Sequence, residues 1–317
     1  LSSFFVEILS YPEMENQTII SEFILLGFPA GLEIQLFLFV TFFLTYVLTV
    51  LENLIIISIV KCNQNLHKPM YFFLGNLSFL EIWYISVTLP KLLVDFWSQS
   101  KTITFHSCMA QLYFFISLMC TESVLLAVMA YDRYVAIYNP LRYPAIMTHK
   151  LCFQLAVLSC ISLIISFMSQ LSFCGPNKID HFFCDLTPVI RLSCSDTRSI
   201  EMTAFILAYM NTSPPLVTTL GSYIYIIRSI LRIPSTTGKQ KAFSTCSSHL
   251  TMVSCFYLSL TIVYVLPNID SLRYLKKVFS LFYTLLTPLI NPFVYSLRNK
   301  EVKEAAKNMA NLLCRRQ

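Results

Sequence analysis

Apolar and charged positions along the chain are sorted into blocks, not alternated. Lys, Arg, Asp and Glu are absent from residues 34–51, 102–121, 151–177, 202–227, 242–269 and 278–297. Each block meets or approaches the roughly 20 residues that carry an α-helix across a bilayer. The first runs on past Glu52 to Val60, and the second past Glu122 to Tyr131. A seventh block, 69–90, is broken once, by Glu81. The pattern predicts an all-α membrane protein with seven spans, at 34–60, 69–90, 108–134, 151–177, 202–227, 242–269 and 278–297. After the last span, Val302, Ala305, Ala306, Met309, Leu312 and Leu313 recur at helical spacing opposite Lys303, Glu304 and Lys307. That stretch predicts a short amphipathic helix lying on membrane lipid. Cys314 beside it is a candidate for palmitoylation.

Composition supports this class. Hydrophobic residues make up 56% of the 317 and charged residues 13%, against about 25% charge in a soluble domain. Glycine is scarce, at 6, which argues against a turn-rich barrel. With no internal repeat, the chain divides into an outer tail 1–33, a transmembrane domain 34–297 and a cytoplasmic segment 298–317. Residues 1–30 lack the basic start and apolar core of a cleaved signal, so span one is expected to act as signal anchor. Met14 opens MENQT, which looks like a natural start.

Charge assigns the sides. Of the 23 Lys and Arg, 15 fall on the side that holds the C-terminus. The side richer in cations is cytoplasmic, so the N-terminus is expected outside, and the net charge of +6 calls for no nucleic-acid partner. Cys108, Cys174, Cys184 and Cys194 then lie on the oxidising side, where disulfides persist, and four cysteines allow three pairings. A metal site of Cys174, His181, Cys184 and Cys194 is the rival reading. Asn16-Gln17-Thr18 is a glycosylation sequon on the outer tail. The sequons at Asn76 and Asn211 fall inside spans, out of the enzyme's reach.

The charges inside spans carry the chemistry. Such groups normally face the bundle interior or water. Glu122 and Arg133 are eleven residues apart, which returns to within about 20° on a helix and sets Arg133 roughly 16 Å nearer the cytoplasm. Arg133 can pair with Asp132 and be released when helices move, as a latch. The alternative is a static pair at the membrane boundary. Prolines 214, 215, 267, 288 and 292 in or at the ends of the last three spans suggest kinked, movable rods.

MAYDRYVAIYNPLRYP (129–144) resembles the signature of vertebrate olfactory receptors of the tetrapod type, within the rhodopsin-like G-protein-coupled receptors. LHKPMYFFLGNLSFLE (66–81), CGPNKIDHFFCDL (174–186), KAFSTCSSHL (241–250) and PLINPFVYSLRNKEV (288–302) resemble the same family, in family order. Glu52 departs from the glycine the family more often has before the span-one asparagine.

The resemblance implies several site assignments. Glu81, Glu122 and Asn291 would form a polar core. Two carboxylates in low dielectric resist ionising together, so the core is either a sodium or proton site or a hydrogen-bonded network with one acid neutral. Disulfides would join Cys108 to Cys184 and Cys174 to Cys194. Odorant would sit among Ile116, Met119, Cys120, Leu207, Asn211, Tyr257, Leu260, Thr261 and Tyr264. Asp132, Arg133, Tyr223 and Tyr295 would rearrange to admit a G protein, with His249 as a further switch candidate.

The function implied is that of an odorant receptor in the plasma membrane. It would bind small volatile molecules in the outer half of the bundle and activate a stimulatory, olfactory-type G protein to raise cyclic AMP, with no cofactor and no catalysis. A transporter using Glu52, Glu81 and Glu122 as a relay is the rival. An intramembrane enzyme is weaker still, since HExxH, GxSxG and phosphate-loop motifs are absent.

Overall fold

A computed structural model describes residues 21–28, 31–66, 68–98, 101–138, 177–193, 197–232, 235–266, 272–298 and 302–307. Span four, Cys174, Cys194 and Asn16 lie outside the described residues, so the expectations placed on them have no structural counterpart here.

The chain opens with strand β1 (Glu22–Leu25) and helix α1 (Leu32–Cys62). Helix α2 (Pro69–Trp97), strand β2 (Thr102–Thr104) and helix α3 (Phe105–Tyr138) follow. At about 1.5 Å per residue the three helices run roughly 44–51 Å. They are long and apolar enough to cross a membrane. Their packing explains their surfaces. Helix α1 buries one stripe, Phe42, Thr49, Asn53, Ile56 and Ile59, and turns Phe37, Leu44 and Leu51 outward. An apolar outward face costs nothing against lipid tails. Helix α2 begins with Pro69 in its first turn, where a missing N–H goes unused. Helix α3 is the interior rod, packed along both α2 and the later helix Thr197–Leu231.

Beyond the second outer loop come strand β3 (Lys178–Ile179), a short helix α4 (Leu186–Ile190) and the long helix α5 (Thr197–Leu231). Helix α6 (Thr236–Leu260) runs into a wide π turn, Thr261–Val265. Helix α7 (Arg273–Leu281) runs through a second π turn, Phe282–Leu286, into α8 (Thr287–Arg298). The first turn is closed by the Leu266 N–H donating five residues back to the Thr261 carbonyl at 3.1 Å. Such single wide turns inside α-helices gather at functional sites. Charge-free blocks and prolines gave no sign of them. Residues 302–307 are helical, with Val302 and Ala305 buried in the main core and Lys303, Glu304 and Lys307 exposed.

One expectation needs correction. The fold is not purely α-helical, because β1, in the segment read as a tail, is the central strand of a three-stranded sheet. It pairs antiparallel with β2 and parallel with β3. Phe23 and Leu25 alternate with more exposed neighbours and are buried at 0% and 1%, the period-two pattern of a half-buried strand. Gly27 follows at φ +57°, a turn that glycine adopts without strain, and its N–H donates to the His181 carbonyl at 3.1 Å. Four residues between long helices are too short a run to stand out by periodicity.

Candidate ligand cavity and polar core

The outer loop is fastened to α3 at two points. Cys108 is disulfide-bonded to Cys184, with Cα atoms 5.5 Å apart. This uses the Cys184 sulfur and overturns the metal reading that needed it. Among the described residues no three His, Cys, Asp or Glu gather as a metal site. Beside the disulfide, Gln111 bridges two elements. Its side-chain amide donates to the Val87 carbonyl at 2.8 Å, and its oxygen accepts from the Cys184 N–H at 2.9 Å. The loop segment His181–Phe183 is buried, and the Phe183 ring lies 4.6 Å from that of Phe115. Burial, with Lys277 nearby, pushes the His181 imidazole down to about 3, so it is neutral at ordinary pH.

Beneath this loop lies a cavity of about 80 Å³, several times the space that holds one water. Helix α3 contributes Ile116, Met119, Cys120 and Ser123, and α5 contributes Ala204, Leu207, Ala208, Asn211 and Thr212. Leu260, Thr261 and Tyr264 come from α6 and its π turn, and Leu186 from α4. The structure thus brings together eight of the nine positions expected to meet odorant. The ninth, Tyr257, does not line this cavity. Its ring is buried and its hydroxyl donates to the Ser123 carbonyl at 2.9 Å, tying α6 to α3.

Sequence reasoning missed Ser123, Ala204, Ala208, Thr212 and Leu186. Ser123, Ala204 and Ala208 fall three or four residues from expected positions, so following the same helical faces would have found them; Thr212 is the immediate neighbour of Asn211. Leu186 opens the five-residue helix α4 within the outer loop, too short for periodicity to point to it.

The cavity wall is held by a hydrogen-bonded chain. The Tyr264 hydroxyl donates to Asp185 Oδ1 at 2.8 Å and lies 3.2 Å from the Tyr283 hydroxyl. Tyr283 donates to Ser280 Oγ at 3.2 Å. Asp185 also caps α4 by accepting from the Leu186 N–H at 2.7 Å. Burial pushes the Asp185 carboxyl up to about 6, outweighing the opposing pull of those two hydrogen bonds and of Lys276.

A sequence model described as "Olfactory receptor" matches residues 42–314. The chain belongs to the olfactory receptor family. Olfactory receptor 6B1 of Homo sapiens is 56% identical over 304 residues, covering 94% of this chain and 97% of that relative. Olfactory receptor 6Y1 of Homo sapiens is 50% identical over 303 residues, with 93% of each chain covered. Olfactory receptor 6B9 of Mus musculus is 51% identical over 300 residues, covering 93% of this chain and 95% of its own. Members of the family are G-protein-coupled odorant receptors of the plasma membrane, not enzymes.

Deeper in the receptor lies a polar core. The Asn291 amide on α8 donates to Glu81 Oε1 on α2 at 2.6 Å. Glu122 on α3 is fully buried. Both Glu122 oxygens, Asn53 Oδ1 and Asn291 Oδ1 are buried and make no hydrogen bond among the described residues. All four are acceptors. Such a set suits a hard cation or shared protons, and it costs about 1–3 kcal/mol per group if nothing meets it. Glu52, expected as a buried acid, is only half-buried, because its helix faces outward over most of its turns.

At the other end of α3, Asp132 is buried and Arg133 half-buried. Arg133 Nε is itself shielded, with no hydrogen-bond partner among the described residues. Tyr223 is buried in a separate small cluster with Ala130, Ile226 and Ile230. The side chains of Tyr295 and His249 lie outside the described residues.

Proposed function

We propose that the receptor is a seven-helix bundle which takes small volatile molecules in the cavity between α3, α5 and α6. We further propose that it activates a stimulatory, olfactory-type G protein to raise cyclic AMP. The observation that carries this reading is the mainly apolar cavity just beneath the disulfide-tethered loop. Apolar walls supply burial and a few hydroxyl and amide groups fix orientation, as small-molecule sites require. In this reading residues 1–33 are extracellular, 34–297 form the bundle, and 298–317 lie at the cytoplasmic face. Cys174 and Cys194 form a second disulfide, and Asn16 is glycosylated.

Ligand binding acts by population. It favours the state with an open inner face by no more than its differential affinity for the two states. Arg133, with Asp132, Tyr223 and Tyr295, is the proposed switch. Its Nε, shielded and without a hydrogen-bond partner among the described residues, supports this reading, because a docking partner can bring the missing acceptor. The polar core of Glu81, Glu122 and Asn291 sets the resting balance by holding sodium or a proton.

The test is cyclic AMP in cells expressing the receptor across a broad odorant panel, with Arg133→Ala alongside and surface expression matched. An odorant response that vanishes in the mutant is expected. A full response in Arg133→Ala, or a response in cells lacking the stimulatory α subunit, would overturn the coupling. Substrate-dependent current without any G protein would favour a transporter instead.

A further inference from the structure

The hydrogen-bonding groups around the cavity are unequal in what they still offer. Thr261 Oγ1 donates its proton to the Tyr257 carbonyl at 2.8 Å. Thr212 Oγ1 donates to the Ala208 carbonyl one turn back. Ser123 Oγ donates to the Tyr257 hydroxyl at 3.3 Å, and Tyr264 donates to Asp185. Four hydroxyls on the wall have therefore committed their protons to protein acceptors. A hydroxyl has one proton and two lone pairs, so these groups face a ligand mainly as acceptors.

Asn211 differs. It lines the cavity, and its amide offers two donors and an acceptor. The remaining donor is the thiol of Cys120, which is free and buried and weak as a donor. Among the described residues, no Lys, Arg, Asp or Glu lines the cavity. A carboxylate or an ammonium entering it would therefore lose its hydration without gaining an opposite charge.

We propose that the cavity selects small neutral alcohols and phenols, whose hydroxyl accepts from the Asn211 amide and donates its one proton to Thr261 Oγ1. An aldehyde or ketone can only accept. It meets Asn211 but turns lone pairs toward the threonine oxygen and leaves it unmatched. A hydrocarbon leaves the amide and the threonine unmatched. Sites that pair a ligand hydroxyl reject analogues without it, because the polar groups a bound ligand covers, here half-buried Asn211 and exposed Thr261, are then left unpaired. The inference rests on the cavity being the odorant site.

The test uses full-length receptor in cells and reads cyclic AMP against dose. The probes share one carbon skeleton and differ in a single group: alcohol, aldehyde, carboxylic acid, amine and hydrocarbon, on straight-chain, branched and aromatic skeletons. Surface expression is measured for every variant. Alcohols or phenols are expected to be about ten-fold more potent than their aldehydes, the worth of one net hydrogen bond. The isosteric variants Asn211→Leu and Thr261→Val should each weaken the alcohol about ten-fold. Thr261→Val should not weaken the aldehyde and should strengthen it if anything, because the variant removes an oxygen the aldehyde cannot match. It adds no polar burden to the helix, so it stands in if Asn211→Leu fails to reach the surface.

Leu207→Trp, which fills the cavity, separates the two levels of the argument. Aldehydes, acids, amines or hydrocarbons matching the alcohols, with all responses lost in Leu207→Trp, would overturn the ligand class and leave the site standing. Responses that survive Leu207→Trp would overturn the site. Silence toward every alcohol and phenol from a receptor present at the surface would overturn the ligand class.

Discussion

Tyr264 is a junction between ligand and loop. One face of it lines the cavity, while its hydroxyl donates to Asp185 on the outer loop. Asp185 carries its charge only above about 6, so this junction titrates. As pH falls from 7.4 to 5.5 the carboxylate takes a proton, and a charge-assisted hydrogen bond becomes a neutral one of about half the strength. Odorant potency is expected to fall about five-fold across that interval, and Asp185→Asn should flatten the dependence. The stability effect has the opposite sign. An acid whose pKa is raised on folding, here from 3.8 to about 6, binds its proton more tightly when folded. Its contribution to stability is therefore largest below about 4, declines as pH rises to about 6, and is constant above that. Acidification to 5.5 thus weakens the ligand without unfolding the receptor through this residue. His181, at about 3, stays neutral throughout. A potency that is flat with pH in the unmodified receptor, at constant surface expression, would remove Asp185 from this role.

Elements meet where residues from distant parts of the chain converge. The Cys108–Cys184 bond closes a separation of 76 residues and fixes the loop that carries β3, the buried aromatics and Asp185. Cross-links of that kind contribute about 2–5 kcal/mol. Cys108→Ser, Cys184→Ser and the double variant should lose surface expression to the same extent, because all three remove one bond. A double variant much worse than either single one would mean that the two cysteines act separately. Much at this scale was legible beforehand. The blocks that became α1, α2 and α3 follow from helical period, and eight of the cavity positions on α3, α5 and α6 from family resemblance. The strand β1, the two π turns and the turning away of Tyr257 were not. A four-residue strand is defined by its partners, Thr102–Thr104 and Lys178–Ile179, which lie far off in sequence. A π turn shifts a hydrogen bond by one residue and leaves the hydropathy pattern unchanged.

For the whole molecule, the polar core couples the rods. Asn291 on α8 reaches Glu81 on α2, and Glu122 on α3 stands beside them. On the proposed function, a change in any of these shifts the balance between resting and active arrangements. Neutralising Glu122 as Glu122→Gln is expected to change basal cyclic AMP at matched surface expression. Basal signalling equal to that of the unmodified receptor would leave the core a purely structural network.

Several properties were determined by the sequence alone, because they depend on quantities that add along the chain. Apolar length decides what can cross a bilayer. The sum of Lys and Arg on each side decides the expected orientation. Spacing on a helix decides which side chains share a face. The tertiary structure decided which faces meet. It set a strand against two distant partners, committed four cavity hydroxyls to protein acceptors while leaving the Asn211 amide open, and gave Asp185 its raised pKa by burying it beneath the loop. Hydrogen-bond commitment and desolvation arise between segments far apart in the chain, and they exist only once those segments have packed.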